Sequence, residues 1–271
     1  FGNASREVRA DILGRAPAEY VAKLQEALIT HDPQAAIGPF GLQSQDDVTI
    51  KAAYKLSPNA GLGKTCHLVT EALGLPGRMT YRADGRTENW SALNGPELEV
   101  LYLTEFLRQF VRAESSFLFG YTLEWTRPGH VVMASTGDAD REAIVGGILL
   151  ASEMISGGSA AAQELADKIR EAVEADTLAD WANRLDGLQE ADPAQVVTQY
   201  LGGIEATARR VGLLMAGDLL AGMRAWGRLT GKFDNPQAKE LDELDELVTE
   251  NPELIDLIGF AASVDFGRLL S

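Results

Sequence analysis

Cysteine, histidine, positive charge and long apolar runs are all scarce in this chain of 271 residues. The single cysteine, Cys66, excludes an internal disulfide and a Cys-rich zinc site. That count fits a reducing cytoplasm, the expected location, and equally fits a cysteine-poor secreted chain. The three histidines, His31, His67 and His130, include no pair four residues apart, the spacing at which two imidazoles on a helix grip one metal. Lys and Arg number 24 against 40 Asp and Glu, a net charge of −16. Such a balance argues against non-specific nucleic-acid binding and against docking on an anionic membrane surface. The longest apolar run, Ala143 to Ala151, is far below the roughly 18 residues that span a bilayer. The next richest stretch, Val211 to Met223, is interrupted by Asp218, so no membrane span is expected. A chain starting at Phe1 rather than Met is expected to be a fragment or a trimmed form, in which any targeting segment would be invisible.

What is present is the ordinary balance of a globular protein, with 45% hydrophobic and 24% charged residues. The length suits one large domain or two small ones. Tyr20, Val21, Leu24 and Leu28 lie at helical spacing after Pro17. Leu68, Val69, Ala72 and Leu73 suit a helix stopped by Gly74 and Pro76. The strip from Asp47 to Tyr54 is of undecided type. Arg78 to Arg82 alternates, and Glu97 to Thr104 reads as a strand with Leu98, Val100 and Tyr102 on one face. From Ser115 onward helical spacing dominates, with a loop at Ser156-Gly-Gly-Ser159. Val197, Leu201, Ile204, Ala208, Val211, Met215, Leu219 and Met223 form one apolar stripe, which Gly212 and Gly217 could bend or divide into two helices. The expected fold is α+β and mostly helical, with a small sheet near its middle.

Three features attract a chemical reading. Gly61-Leu-Gly-Lys64-Thr65 is the end of a phosphate-binding loop pattern, but the position of its first glycine holds Pro58, which has no N–H to offer phosphate. A plain loop at a helix start is the better reading. Cys66 and His67, as chain neighbours, point to different helix faces, and Arg127-Pro-Gly-His130 reads as a turn in which the histidine caps carbonyls. The run from Asp234 to Asp256 holds nine carboxylates and one lysine, half of the net charge of the chain. Its usual meaning is a solvated face; its sharper meaning is a partner-docking surface, with Glu240, Asp242, Glu243, Asp245 and Glu246 as candidates.

The segment VLYLTEFLRQFVRAESSFLFGYTLEW, Val100 to Trp125, resembles the active-site segment of zinc metallopeptidases of the CAAX-prenyl-protease type. In that family a strand turns through a Thr-containing corner, a Glu opens a helix, and HExxH follows. Thr104, Phe106, Leu107 and Glu114 match the corner and helix start, and the HExxH slot holds Tyr121 to Trp125. Glu205-Ala-Thr-Ala208-Arg209 resembles the later segment that supplies the third zinc ligand, with Arg209 in place of the usual Asp. Thr104 to Arg108 has the same spacing as a lower-ranked second register. The chain thus looks like a degenerate relative of this family, of the kind found at the C-terminus of bacterial tetratricopeptide-repeat proteins. The resemblance implies a zincin-like core over residues 46–230. Residues 1–45 would be an N-terminal helical segment, as at the tail of such a repeat array, and residues 231–271 an acidic helical C-terminal segment.

Catalytic zinc requires three protein ligands and a water. Tyr121 and Trp125 stand where the two histidines belong; a neutral phenol ligates poorly, and an indole N–H only donates. Thr122 replaces the glutamate that would deprotonate the water, and Glu205 alone keeps its type. Read instead as core aromatics of an unrelated helical protein, the same residues lead to the same expectation: no hydrolytic machinery. We therefore expect a non-catalytic domain with no metal and no cofactor, acting on a protein partner. Two alternatives stay open. One is a small-molecule sensor using the vestigial cleft; the other is an unusual metal-dependent hydrolase using His130, Glu124 and Glu205.

Overall fold

The computed structural model describes residues 17–31, 53–75, 79–84, 89–93, 99–111, 113–232 and 248–270. The elements in chain order are α1 (Pro17–His31), β1 (Tyr54–Lys55), α2 (Gly61–Ala72), β2 (Met79–Ala83), β3 (Trp90–Leu93) and β4 (Glu99–Leu103). Helices α3 (Thr104–Leu107), α4 (Ala113–Glu124), α5 (His130–Ser135), α6 (Asp138–Ala151), α7 (Ala160–Ala172) and α8 (Ala175–Arg184) follow. The chain continues through α9 (Pro193–Ala216), α10 (Leu219–Thr230), α11 (Pro252–Ala261) and α12 (Val264–Leu270). The fold is mostly helical with one small mixed sheet, as the pattern of the sequence predicts.

The sheet has the order β1-β2-β4-β3, with β2 and β4 parallel and both outer pairings antiparallel. Alternation along β4 sends Val100 and Tyr102 to the main core and Leu101 to a small cluster with Ala83. The strand ends at Leu103, and the helical turn begins at once with Thr104, whose hydroxyl donates to the Ala83 carbonyl at 3.2 Å.

Two apolar cores share α9. Its first half sends Val196, Val197, Tyr200 and Ile204 into a helical core with α1, α6, α7 and α8. Its second half sends Ala208, Val211 and Leu213 into a core with α2, β4, α4, α10 and α11. A helix of 24 residues is about 36 Å long, long enough to border both. The expected single stripe is divided: Gly217 closes α9 at φ 64°, and the Asp218 carboxylate caps α10 by accepting from the Ala221 N–H at 2.7 Å. Helix α1 packs its Tyr20, Val21, Leu24 and Leu28 into the first core, with the Tyr20 ring 5.4 Å from that of Trp181. Gly61 to Thr65 forms the first turn of α2 rather than a loop before it.

Helix α4 is buried on every side; ten of its twelve residues are inaccessible. An apolar helix without a polar face needs neighbours all round, and α9, α10, α2 and the sheet supply them. Against α9, glycine faces glycine. A methyl added at Gly120 would stand 3.0 Å from the Gly212 Cα, and one at Gly212 would stand 2.9 Å from the Phe117 carbonyl oxygen. Neither space exists without moving backbone. Gly212→Ala is expected to destabilise the protein by about 1–3 kcal/mol in denaturant unfolding, through overpacking. Gly202→Ala, on the exposed side of the same helix with nothing within 4 Å, should instead stabilise it by up to about 1 kcal/mol.

Candidate functional site

Of the positions matched to the metallopeptidase motif, Thr104, Phe106 and Leu107 form α3, Glu114, Tyr121 and Thr122 lie on α4, and Glu205 lies on α9, which packs closely against α4. Tyr121 is buried in an aromatic enclosure. Its ring meets Trp90 of β3 edge-on at 5.9 Å, stacks on Phe117 one helical turn back at 6.5 Å, and lies 5.6 Å from Trp226 of α10. Burial first, and the Glu205 carboxylate second, push the Tyr121 phenol well above its ordinary pKa; Trp125 and Arg209 oppose them more weakly. The structure thus brings Tyr121 and Glu205 into one electrostatic neighbourhood, from positions 84 residues apart in the sequence. Glu205 itself is 43% exposed and paired with Arg209 at 3.5 Å.

Thr122 and Trp125 do other work. Thr122 is fully buried on the side of α4 facing the sheet, where its hydroxyl donates to the Leu118 carbonyl at 2.8 Å. With that proton committed, the Tyr102 hydroxyl of β4 donates to Thr122 Oγ1. Trp125 lies just past the end of α4, half-buried, and packs against both cores. The candidate interaction residues Glu240, Asp242, Glu243, Asp245 and Glu246 lie outside the described residues.

These groups do not suit a zinc ion. A neutral phenol is a poor zinc ligand, and the Tyr121 ring is enclosed by Trp90, Phe117 and Trp226. Thr122 has its hydrogen bonds committed to helix and sheet. Among the described residues, no group of three or more His, Cys, Asp and Glu side chains is placed to hold a metal ion. The set His130, Glu124 and Glu205 therefore does not assemble as a metal centre.

Two members of that set meet in a different arrangement, to which sequence reasoning did not assign Arg127. The Arg127 guanidinium, 8% exposed, donates through Nε to Glu124 Oε2 at 2.6 Å, with the carboxylate fully buried. Its Nη2 reaches the Leu73 carbonyl, at the end of α2, at 3.2 Å. His130 begins α5 rather than lying in a turn, and its Nδ1 sits 3.2 Å from the Glu124 carbonyl and 3.9 Å from Glu124 Oε1. Carbonyl capping by this histidine was legible; the cation was not, although Glu124 and Arg127 have the three-residue spacing of a helical ion pair. The arrangement places positive charge against the C-terminal ends of α2 and α4, where their dipoles favour it.

The site and scaffold define an α+β protein, mostly helical, with a small four-stranded sheet. Comparison of the chain with protein-family models, with curated proteins and with solved structures gave no match. No helix among the described residues is long and apolar enough to cross a membrane.

The buried ion pair generates a stability prediction. Arg127→Met would leave the Glu124 carboxylate buried without its cation, and should destabilise the fold by about 3–5 kcal/mol in urea unfolding. Replacing both partners by apolar residues of similar volume should recover much of that loss.

Proposed function

We propose that this chain is a catalytically inert, metallopeptidase-like domain that works by binding a protein partner in the cytoplasm. The observation that carries the reading is the state of Tyr121. It occupies the position that the resemblance gives to a zinc-binding histidine, and it lies beside Glu205, which the resemblance gives to the third ligand. The space is filled by the rings of Trp90, Phe117 and Trp226. In this reading aromatic packing has replaced metal and water, and Thr122, hydrogen-bonded to the Leu118 carbonyl, has replaced the base. The pairing of Glu205 with Arg209 and the enclosure of Tyr121 as a neutral phenol support this reading.

In this reading residues 46–230 form the metallopeptidase-like unit of a bacterial scaffold or regulatory protein of the tetratricopeptide-associated kind. Residues 231–271 supply an acidic surface for contact. The functional face is sought on the helices around Tyr121 and Glu205 and on the acidic segment.

Elemental analysis of the purified protein tests this directly. Zinc should be far below one equivalent, added zinc should not raise the melting temperature, and Glu205→Ala should leave both unchanged. Near-stoichiometric zinc, with a peptidase activity lost in Glu205→Ala, would overturn the proposal.

A further inference from the structure

Positive charge is rare in this chain, yet it gathers along the second half of α9 and along α10. Residues 209–232 contain Arg209, Arg210, Arg224, Arg228 and Lys232, with Asp218 as the only acid. Residues 248–261 are their complement, carrying Glu250, Glu253 and Asp256 and no basic residue. Helix α11 lies against α9 and α10.

The fit of α11 is that of an acidic amphipathic helix in a cationic groove. Leu254 and Leu257, three residues apart, are fully buried in the second core. Asp256, between them in sequence, takes a two-pronged bond from Arg210, with Nε at 3.2 Å from Oδ2 and Nη2 on Oδ1. Arg209 Nη2 adds a longer contact at 3.9 Å. Both guanidiniums are braced on rings: Arg209 lies 5.1 Å from the Trp226 ring centroid, and Arg210 lies 5.5 Å from that of Phe260. Lys232 at the end of α10 pairs with Glu253. Burial alone would raise the Glu253 carboxyl; Lys232, the backbone N–H of Glu253 and Arg209 outweigh it and hold the group below its ordinary value. The opposite face of α11 is open to solvent, with Ile255 57% exposed. Two leucines and three carboxylate-to-cation contacts thus attach a ten-residue helix, too short to hold its form alone in water.

We infer that the α9–α10 groove lined by Arg209, Arg210, Trp226 and Lys232 is a docking site for an acidic amphipathic helix of a protein partner, with α11 as its intramolecular occupant. The partner helix carries the α11 pattern: an acid, a leucine, any residue, an acid, a leucine. Helix recognition in a groove by apolar anchors at i and i+3 is a recurring binding mode, and here the flanking carboxylates set orientation and register. Tethering gives α11 the advantage of effective concentration, so a partner enters by displacing it. The inference rests on the protein-binding part of the proposed function and not on the metallopeptidase resemblance. Zinc bound by Glu205 would refute the inertness of the domain, whereas the peptide titration reads the Arg210 and Lys232 contacts with Asp256 and Glu253, which do not involve Tyr121 or Glu205.

The test uses the full chain and a fluorescently labelled synthetic peptide of residues 250–263. In an anisotropy titration, Asp256→Lys, which turns α11 out of its seat, should bind the peptide at least about tenfold more tightly than the unsubstituted chain does. Raising NaCl from about 0.05 to about 0.5 M should weaken that binding several-fold, because the partly exposed ion pairs and the attraction between peptide and groove are screened. Arg210→Glu should abolish it. A measurement without substitution runs in parallel: amide exchange of α11 in the unsubstituted chain should proceed through an opening that leaves α4 protected and that salt accelerates. The inference is overturned if α11 exchanges only together with α4. It is also overturned if a peptide with its acids changed to lysine binds equally well. Dimerisation that Arg210→Glu abolishes would assign the groove to a second copy of this chain and would likewise overturn it.

Discussion

The crossing of α4 over α9 at Gly120 and Gly212 is the constraint from which the remaining arrangement follows. Two helices this close leave no room for a side chain at their contact, so both positions are glycine, at the ordinary helical cost of that residue. The crossing puts α4 at the centre, with every side covered. Once α4 is covered on all sides, each polar group along it needs a partner from the protein. Thr122 has Leu118 and Tyr102, Glu114 has Arg228, and Glu124 has Arg127. These bonds run to β4, to α10 and, through Arg127, to α2, so the polar groups of one helix orient three of its neighbours.

The same crossing accounts for the chemistry of the candidate site. Holding α9 against α4 brings Glu205 near Tyr121, and the path of α10 after Gly217 brings Trp226 onto the same ring. Trp90 closes the enclosure from the sheet. Tyr121 is thereby held as a neutral phenol in an aromatic enclosure. The charge on the Glu205 carboxylate stabilises the neutral phenol further.

Much of the architecture is legible in the residues, and what is not legible depends on contacts across the chain. The stop at Gly74, the alternation of β4 and the division at Gly217 and Asp218 all arise from local chemistry: a left-handed glycine, a period of two, a capping carboxylate. The two-residue β1 and the short helices α3 and α5 have no period long enough to read, and the order β1-β2-β4-β3 is a tertiary result. At the site, the shared face of Phe117 and Tyr121 follows from their spacing of four. Trp90 and Trp226 come from elements far along the chain, and no spacing announces them. Arg127 reaching the Leu73 carbonyl spans 54 residues, and Arg210 meeting Asp256 spans 46. The surplus of acid near the C-terminus was plain from composition, while its pairing with the few clustered cations was not.

The central claim is that protein side chains, not a metal, complete the space between α4 and α9. It is tested most directly by an anomalous-difference map at the zinc edge, from crystals grown in excess zinc. No peak is expected between Tyr121 and Glu205, with the Tyr121 ring enclosed by Trp90, Phe117 and Trp226. A well-occupied peak coordinated by Glu205, with the Tyr121 ring displaced, would contradict it.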